Sequence, residues 1–398
     1  MLEVDYVGLK LRNPIIVASA TPTINYDNWK RCEDAGAGAF VPKSVIFSKK
    51  LMEGQKFTPG QRTGFTARPR FKIVNKDDAS FDPNLAKRGA IFYLLASGGE
   101  LYPVPEEFAR WMERAKREIS IPIIASICGA EKQYEEWTKL AKIVESAGAD
   151  AVELNMHHMP VNNYTDPEVL RAVKQSVKIP VIGKTMAPWE NPAEIGKKLE
   201  AAGADAIATM GHVRLRGLDI DPEEEKLPLQ PLFQGIQGPI LAPFALAIVA
   251  QTAMSVKIPI SGVSGVMSWR GVVKNILAGA TTVQVCTMLY QDGYRSIGKM
   301  VQGLEDFMKR KGYKSIYDFR GKILKTILSP IDVPAEPPIK AAVDEERCIG
   351  CGNCSDVCFY SAIGMKEDLA SINQMKCDGC GLCMSICPVK AIAMTEVA

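Results

Sequence analysis

The chain has 398 residues, room for two or three domains of ~150 residues each. Its 47% hydrophobic and 23% charged residues are ordinary globular composition and exclude disorder as the main state. The net charge is only +3 and there is no long basic run, so nothing points to nucleic acid.

The N-terminus, Met-Leu-Glu-Val-Asp, is acidic and lacks the basic-then-apolar pattern of an export signal, so a cytoplasmic location is expected. The longest apolar stretch, Ile240 to Val256, is interrupted by Pro243 and Gln251 and falls short of the ~20 residues of a membrane span. A packed helix is expected there instead.

Across residues 1–325, short β-branched runs alternate with helical stretches. The runs are Asn13–Ser19, Ala39–Lys43, Ile121–Ile127, Ala151–Asn155, Pro180–Lys184, Asp205–Met210, Pro259–Gly262 and Thr282–Cys286. Several follow an Ala-Gly-Ala turn, at Gly36, Gly148, Gly203 and Gly279. Glycine just past a helix end supplies a left-handed cap. Eight strands, each followed by a helix, predict an α/β fold, a closed (β/α)8 TIM barrel. An open doubly wound sheet is the alternative, and the count of eight favours the barrel.

Two segments break the rhythm. An insertion at about 44–118 occupies a place where one helix would suffice, and carries Arg68-Pro-Arg70 and a Ser97-Gly-Gly turn. It follows the second strand, so it should emerge at the barrel's C-terminal face, where barrel enzymes keep their sites. Residues 326–343, with Pro330, Pro334, Pro337 and Pro338, read as a stiff extended linker. A small domain over 344–398 follows.

That domain holds eight of the eleven cysteines. Cys348, Cys351, Cys354 and Cys358 form C-x2-C-x2-C-x3-C, and Cys377, Cys380, Cys383 and Cys387 repeat it 29 residues later. The flanks repeat too, Ser361-Ala-Ile-Gly-Met365 against Lys390-Ala-Ile-Ala-Met394. Zinc motifs pair their cysteine units across a longer gap, and a disulfide framework requires an oxidising compartment. Three thiolates so close in sequence suit three irons of one cuboidal cluster.

The domain resembles the bacterial two-cluster ferredoxins over its whole length, which implies a small α+β domain with two [4Fe-4S] clusters. In those ferredoxins the fourth ligand comes from the other run. The resemblance assigns Cys348, Cys351, Cys354 and Cys387 to one cluster, and Cys377, Cys380, Cys383 and Cys358 to the other. Phe359 stands where proline is usual after the fourth cysteine.

A ferredoxin module handles single electrons, whereas substrate chemistry usually moves two, and a flavin is the usual converter. Barrels commonly hold a phosphate in the loops after strands seven and eight. Here those loops read Ser261-Gly-Val-Ser-Gly-Val266 and Val283-Gln-Val-Cys-Thr287, whose small residues permit close backbone approach. A lysine ending an apolar strand, as at Lys43 and Lys184, is costly unless it meets an anion or snorkels to solvent.

Together these features resemble the dihydroorotate dehydrogenase/dihydropyrimidine dehydrogenase family, most closely the C-terminal half of dihydropyrimidine dehydrogenase. The residues that carry it are Asn13-Pro14 leading to Ala18-Ser19, Lys43-Ser44, Ile124-Ala-Ser-Ile127, Glu153-Leu-Asn155, Gly183-Lys184, Gly235-Ile-Gln-Gly238, Gly262-Val-Ser-Gly265 and Val283-Gln-Val-Cys-Thr287. The resemblance implies an FMN barrel. It places Ala18, Ser19 and Ser44 by the flavin, Lys43 and Lys184 at the ring and ribityl chain, and Asn155 between flavin and substrate. Gly238, Gly262, Ser264, Gly265, Cys286 and Thr287 fall at the FMN phosphate.

The chain departs from the family where the substrate is handled. The family writes Glu-Leu-Asn-Leu-Ser-Cys-Pro after the fourth strand, and its cysteine or serine moves the substrate proton. Here the stretch is Glu153-Leu-Asn-Met-His-His-Met-Pro160, with His158 at the cysteine's place. Imidazole is a competent general acid or base. His157 is the second candidate, and His212, the chain's third and last histidine, follows the sixth strand. Family asparagines that pair with a pyrimidine ring are replaced by Thr209-Met210-Gly211 and, in the insertion, by Tyr93-Leu-Leu-Ala-Ser97.

The expectation is therefore an FMN- and iron–sulfur-dependent oxidoreductase. It acts on a C–C/C=C bond next to an electron-withdrawing group in a small-molecule, non-pyrimidine substrate. Arg68, Arg70, Arg214 and Arg216 are candidates for its acidic end. With no Gly-x-Gly-x-x-Gly fingerprint after a strand, an electron-donor or acceptor protein is expected, either an FAD/NAD(P)H-binding subunit or a ferredoxin, in an oligomer. An electron-transfer subunit that turns over no substrate is the alternative.

Overall fold

The computed structural model describes residues 1–47, 70–74, 92–96, 103–129, 134–156, 165–185, 191–209, 216–217, 220, 223–226, 234–327 and 339–396. They form two compact units, Met1–Lys325 and Thr326–Ala398.

The first unit is built on β1 (Ile15–Val17), β2 (Ala39–Phe40), β3 (Ile124–Ile127), β4 (Ala151–Asn155), β5 (Val181–Lys184), β6 (Ala206–Ala208), β7 (Ile260–Gly262) and β8 (Thr282–Val285). All eight lie within the runs that the sequence marks. They pair in parallel in the order β2-β1-β8-β7-β6-β5-β4-β3. Parallel bridges Phe40↔Ile123 and Val45↔Ile127 join the two ends of that sheet and bend it into a barrel.

Every residue of these strands is buried. They therefore read as continuous apolar runs without alternation. No helix among the described residues is long and apolar enough to cross a membrane, and Ile240–Val256 supplies the packed helix Ala242–Ala253.

Helices cover the outside: α1 (Tyr26–Asp34), α2 (Pro105–Glu118), α3 (Tyr134–Ser146), α4 (Pro167–Ser176), α5 (Pro192–Ala201), α6 (Ala242–Ala253), α7 (Trp269–Leu277), the short α8 (Thr287–Asp292) and α9 (Arg295–Lys311). Asn25, Asp166 and Asn191 cap α1, α4 and α5 through their side-chain oxygens, satisfying amides that lack intrahelical partners. Gly36, Gly148, Gly203 and Gly279 have φ of +95°, +93°, +98° and +106°, the left-handed turn that returns each helix to the next strand.

Strands outside the barrel escaped the sequence reading. An antiparallel hairpin, Val4–Tyr6 with Leu9–Leu11, precedes β1. The long insertion ends in α2, the helix owed to β2. It also contributes Arg70–Val74 and Phe92–Ala96 to a four-stranded antiparallel sheet with Gln234–Gln237 and Arg216–Gly217. Pairing of Tyr93 with Gln237 and Leu95 with Gly235 ties the insertion to the loop between β6 and α6.

In the second unit, β9 (Ile339–Val343) pairs with β12 (Ile392–Glu396), and β10 (Ile363–Lys366) with β11 (Leu369–Ile372), both antiparallel. Between them lie α10 (Asn353–Asp356) and α11 (Leu382–Ile386). The extended segment after the prolines thus becomes a strand from Ile339, because beyond Pro338 every residue again offers an N–H to a ladder. The prolines themselves lie outside the described residues.

The 29-residue repeat is a structural duplication. A Cβ on Gly350 would sit 2.1 Å from Asp368 O, and one on Gly379 would sit 2.1 Å from Ile339 O. Gly350 and Gly379 are equivalent positions, and so are Asp368 and Ile339, so each half packs its glycine against the backbone at the start of the other.

Candidate active site and iron–sulfur centres

The C-terminal ends of the strands gather the polar side chains. Asn155, the last residue of β4, is buried, and its Nδ2 donates to Ser44 Oγ at 2.8 Å. Ser44 Oγ lies 2.9 Å from Ser126 Oγ and 3.4 Å from Ser19 Oγ. Four strand ends therefore share one hydroxyl–amide network. Asn155 Oδ1 is buried and has no hydrogen-bond partner among the described residues. An unmatched acceptor of this kind costs ~1–3 kcal/mol and marks a place for a donor from outside. Lys43 is also buried, beside Ser44.

Lys184 ends β5, in register with Asn155 and Ala208. The sequence left this lysine either an anion or solvent, and it meets an anion, Glu153. Lys184 Nζ donates to Glu153 Oε1 at 2.8 Å and to Gln284 Oε1 at 3.0 Å, while Gln284 Nε2 donates to Glu153 Oε2 at 2.5 Å. The pair's side chains are 6% and 0% exposed. Because β4 and β8 are not neighbours, the contact between Glu153 and Gln284 crosses the barrel interior. Below it, burial, then the charge of Glu153, push the Tyr6 phenol above its ordinary range, so it stays protonated. Sequence reasoning quoted Glu153 and Gln284 only as motif letters. The available signal was a long polar side chain in the interior of each largely apolar run.

The loop after β7 is drawn tightly onto the start of α6. Ser264 and Gly265 have φ of +76° and +72°, and a Cβ on Gly265 would lie 2.5 Å from both Cα and N of Ala242. Ser264 holds a left-handed backbone at a cost of about 1–2 kcal/mol, and such strain clusters where ligands are held. Gly238, at φ +100°, makes the turn into α6. Cys286 and Thr287 open the short α8, and Cys286 Sγ lies 3.5 Å from the Tyr290 hydroxyl.

At Gly262 a Cβ would lie 2.1 Å from Asn275 Oδ1, so this position also packs closely against α7. His157, His158 and His212 lie outside the described residues, as do Met210, Arg68 and Arg214. Arg70 pairs with Ala96, and Arg216 with Gly235, at one end of the four-stranded sheet.

In the second unit the cysteines line two recesses. One, of about 350 Å³, is bordered by Cys348, Cys351, Cys354 and Cys387. The other, of about 330 Å³, is bordered by Cys377, Cys380, Cys383 and Cys358. Each thus takes three sulfurs from one run and the fourth from the other. Among the described residues no three His, Cys, Asp or Glu side chains converge as ligands of a single ion. Sulfurs spread around a recess suit the corners of a cuboidal cluster, whereas tetrahedral zinc holds four sulfurs at ~2.3 Å from one point.

Backbone amides of Ala362 and Ala391, equivalent in the repeat, donate to Cys358 Sγ at 3.3 Å and Cys387 Sγ at 3.2 Å. Such bonds stabilise negative sulfur. Burial pushes the Cys354 and Cys383 thiols up, so iron must displace their protons.

Residues 101–308 match the dihydroorotate dehydrogenase family, and residues 341–394 match the 4Fe-4S dicluster domain. The chain belongs to the dihydroorotate dehydrogenase family, whose members are dehydrogenases of CH–CH bonds; it is an FMN flavoprotein with two [4Fe-4S] clusters. It is 27% identical to the NAD-dependent dihydropyrimidine dehydrogenase subunit PreA of Escherichia coli strain K12, over 90% of this chain and 85% of that one. It is 30% identical to the catalytic subunit of dihydroorotate dehydrogenase B (NAD(+)) of Pyrococcus abyssi, over 82% of this chain and all of that one. For the corresponding subunit of Methanothermobacter thermautotrophicus the identity is 32%, over 81% and 98%.

Proposed function

We propose that this chain reduces or oxidises a C–C/C=C bond beside an electron-withdrawing group in a non-pyrimidine substrate, and exchanges electrons with a separate protein. The observation that carries this reading is the polar set at the strand ends, where Ser19, Ser44, Ser126 and Asn155 are linked and Asn155 Oδ1 has no partner among the described residues. FMN, when bound, supplies the hydride exchange with substrate and the single-electron exchange with the clusters.

In this reading Asn155 orients the substrate or flavin edge through Oδ1, while Lys184 offers an N–H at the end of β5. The strained Ser264–Gly265 turn and the start of α8 hold the phosphate through backbone amides. Cys348, Cys351, Cys354 and Cys387 ligate one cluster, and Cys377, Cys380, Cys383 and Cys358 the other. His158 holds and moves the proton at the substrate carbon, with His157 and then His212 as the further candidates for that role.

A pyrimidine ring buried without the family's amides leaves several polar groups unpaired at ~1–3 kcal/mol each. A less polar unsaturated acid suits Met210, and Arg68, Arg70, Arg214 and Arg216 are the candidates for its acidic end. The electron partner is a subunit that binds FAD and NAD(P)H, or a ferredoxin; the relatives named above are subunits of NAD-linked enzymes.

The test is a turnover and binding panel on the dithionite-reduced protein. Uracil, thymine and orotate are set against unsaturated carboxylates, cyclic enones and CoA thioesters. Reduction of one of the latter group is expected, and efficient uracil reduction or micromolar orotate binding overturns the substrate reading. The missing cysteine and asparagines favour a second reading, an electron-transfer subunit without turnover. Reoxidation by a partner protein but by no compound of the panel is its outcome.

A further inference from the structure

We propose that Glu153 is a positioning residue that, with Gln284, fixes the Lys184 ammonium inside the barrel and cancels its charge, so keeping the FMN reduction potential low. This rests on the reading that Lys184 lies against the flavin. Glu153, Lys184 and Gln284 form a closed triangle. Both carboxylate oxygens accept, from Lys184 Nζ at 2.8 Å and from Gln284 Nε2, and the amide oxygen of Gln284 takes a second ammonium N–H at 3.0 Å.

An ammonium has three N–H donors. Two are spent in the triangle, and the third belongs to the last residue of β5, where the barrel opens. Glu153 sits two residues before the end of β4 and is fully buried. It therefore acts through Lys184.

The charge arithmetic gives the direction. A lone buried cation stabilises the reduced, anionic flavin and raises its potential. In a low-dielectric interior a carboxylate at 2.8 Å offsets most of that field. Lys184 then presents a hydrogen-bond donor with little net charge, and the reduced flavin remains a strong donor to its electron partners. The protonated Tyr6 phenol beneath adds no charge.

The test is a dye-coupled redox titration of FMN in the full holoprotein, with melting of the apoprotein as a second readout. Glu153→Gln removes the charge at constant size. It is expected to favour reduced over oxidised FMN at least tenfold, which is ~30 mV upward for a two-electron couple, and to lower the apoprotein melting temperature. The double variant Glu153→Gln/Gln284→Glu returns the carboxylate to the other corner of the same triangle. It is expected to restore both the potential and the melting temperature. Lys184→Met is expected to shift the potential downward by a comparable factor.

A shift in Lys184→Met with none in Glu153→Gln overturns the proposal and leaves the site reading intact. No shift in either overturns the site reading as well. If Glu153→Gln fails to fold, the double variant decides. A restored potential supports the proposal, and a folded double variant with a raised potential refutes it.

Discussion

Gly265 shows how single positions set this site. Its φ of +72° and the 2.5 Å approach of a would-be Cβ to the Ala242 backbone leave no room for a side chain. Gly265→Ala forces either the turn or the first turn of α6 to move. It is expected to destabilise the barrel by about 1–3 kcal/mol and to lower the flavin content of purified protein, read by melting and by absorbance at the flavin band. His158 carries the other residue-scale expectation. If it moves the proton, His158→Ala cuts turnover ~10²–10⁴-fold, while reduction of FMN through the clusters persists in stopped-flow traces. His157→Ala should cost less.

Between elements, Glu33 is the clearest electrostatic tie. It lies on α1, and its carboxylate accepts from Ser120 N at 2.6 Å, Ser120 Oγ at 2.7 Å and Lys30 Nζ at 2.8 Å, joining α1 to the turn before β3. Burial opposes its ionisation, but the three donors outweigh it and hold the carboxyl at about 2, against an ordinary 4.5. The folded value is depressed, so the stabilisation is fully present above the ordinary value and is lost as pH falls from there through about 2. Glu33→Gln is therefore expected to cost about 1.5–3 kcal/mol at neutral pH. The difference from wild type should shrink steadily below about pH 4.5 in urea unfolding of the barrel.

The two units differ in what holds them together. The barrel has a continuous core from both strands and helices. Among the described residues, the second unit's buried apolar cluster is Ala341, Cys354, Ile363, Ala370, Cys383 and Ile392, two of them cysteines. So small an apolar core does not offset chain entropy, and iron must supply the remainder. Anaerobic chelation of the full chain is expected to abolish one calorimetric transition, that of 326–398, and to leave the barrel transition in place. Iron and sulfide analysis before chelation should return about eight of each per chain, from two four-iron clusters.

Much of this arrangement was legible from residue order, because its causes are local or repeated. β-branched runs mark all eight barrel strands, four of them after an Ala-Gly-Ala turn, since a strand buried on both faces tolerates few polar residues and a left-handed glycine ends those four helices. Cysteine spacing is as direct, because three ligands of one cluster must lie within a short arc of chain. What the order of residues could not show was contact across the barrel. Lys184 was read as a cation awaiting an anion or solvent, but only closure of the sheet brings it to Glu153 and Gln284, 31 and 100 residues away. Gly262 stands in the expected phosphate loop, and only the folded barrel shows that it also packs against Asn275 on the next helix. The strands Arg70–Val74 and Phe92–Ala96 were likewise hidden, because they pair with each other across the insertion and Phe92–Ala96 finds its second partner, Gln234–Gln237, far along the chain. Sequence determines which segments can be buried and which atoms can bind iron. Tertiary structure decides which buried charge meets which, because an ion pair in the interior depends on distance in space and not along the chain.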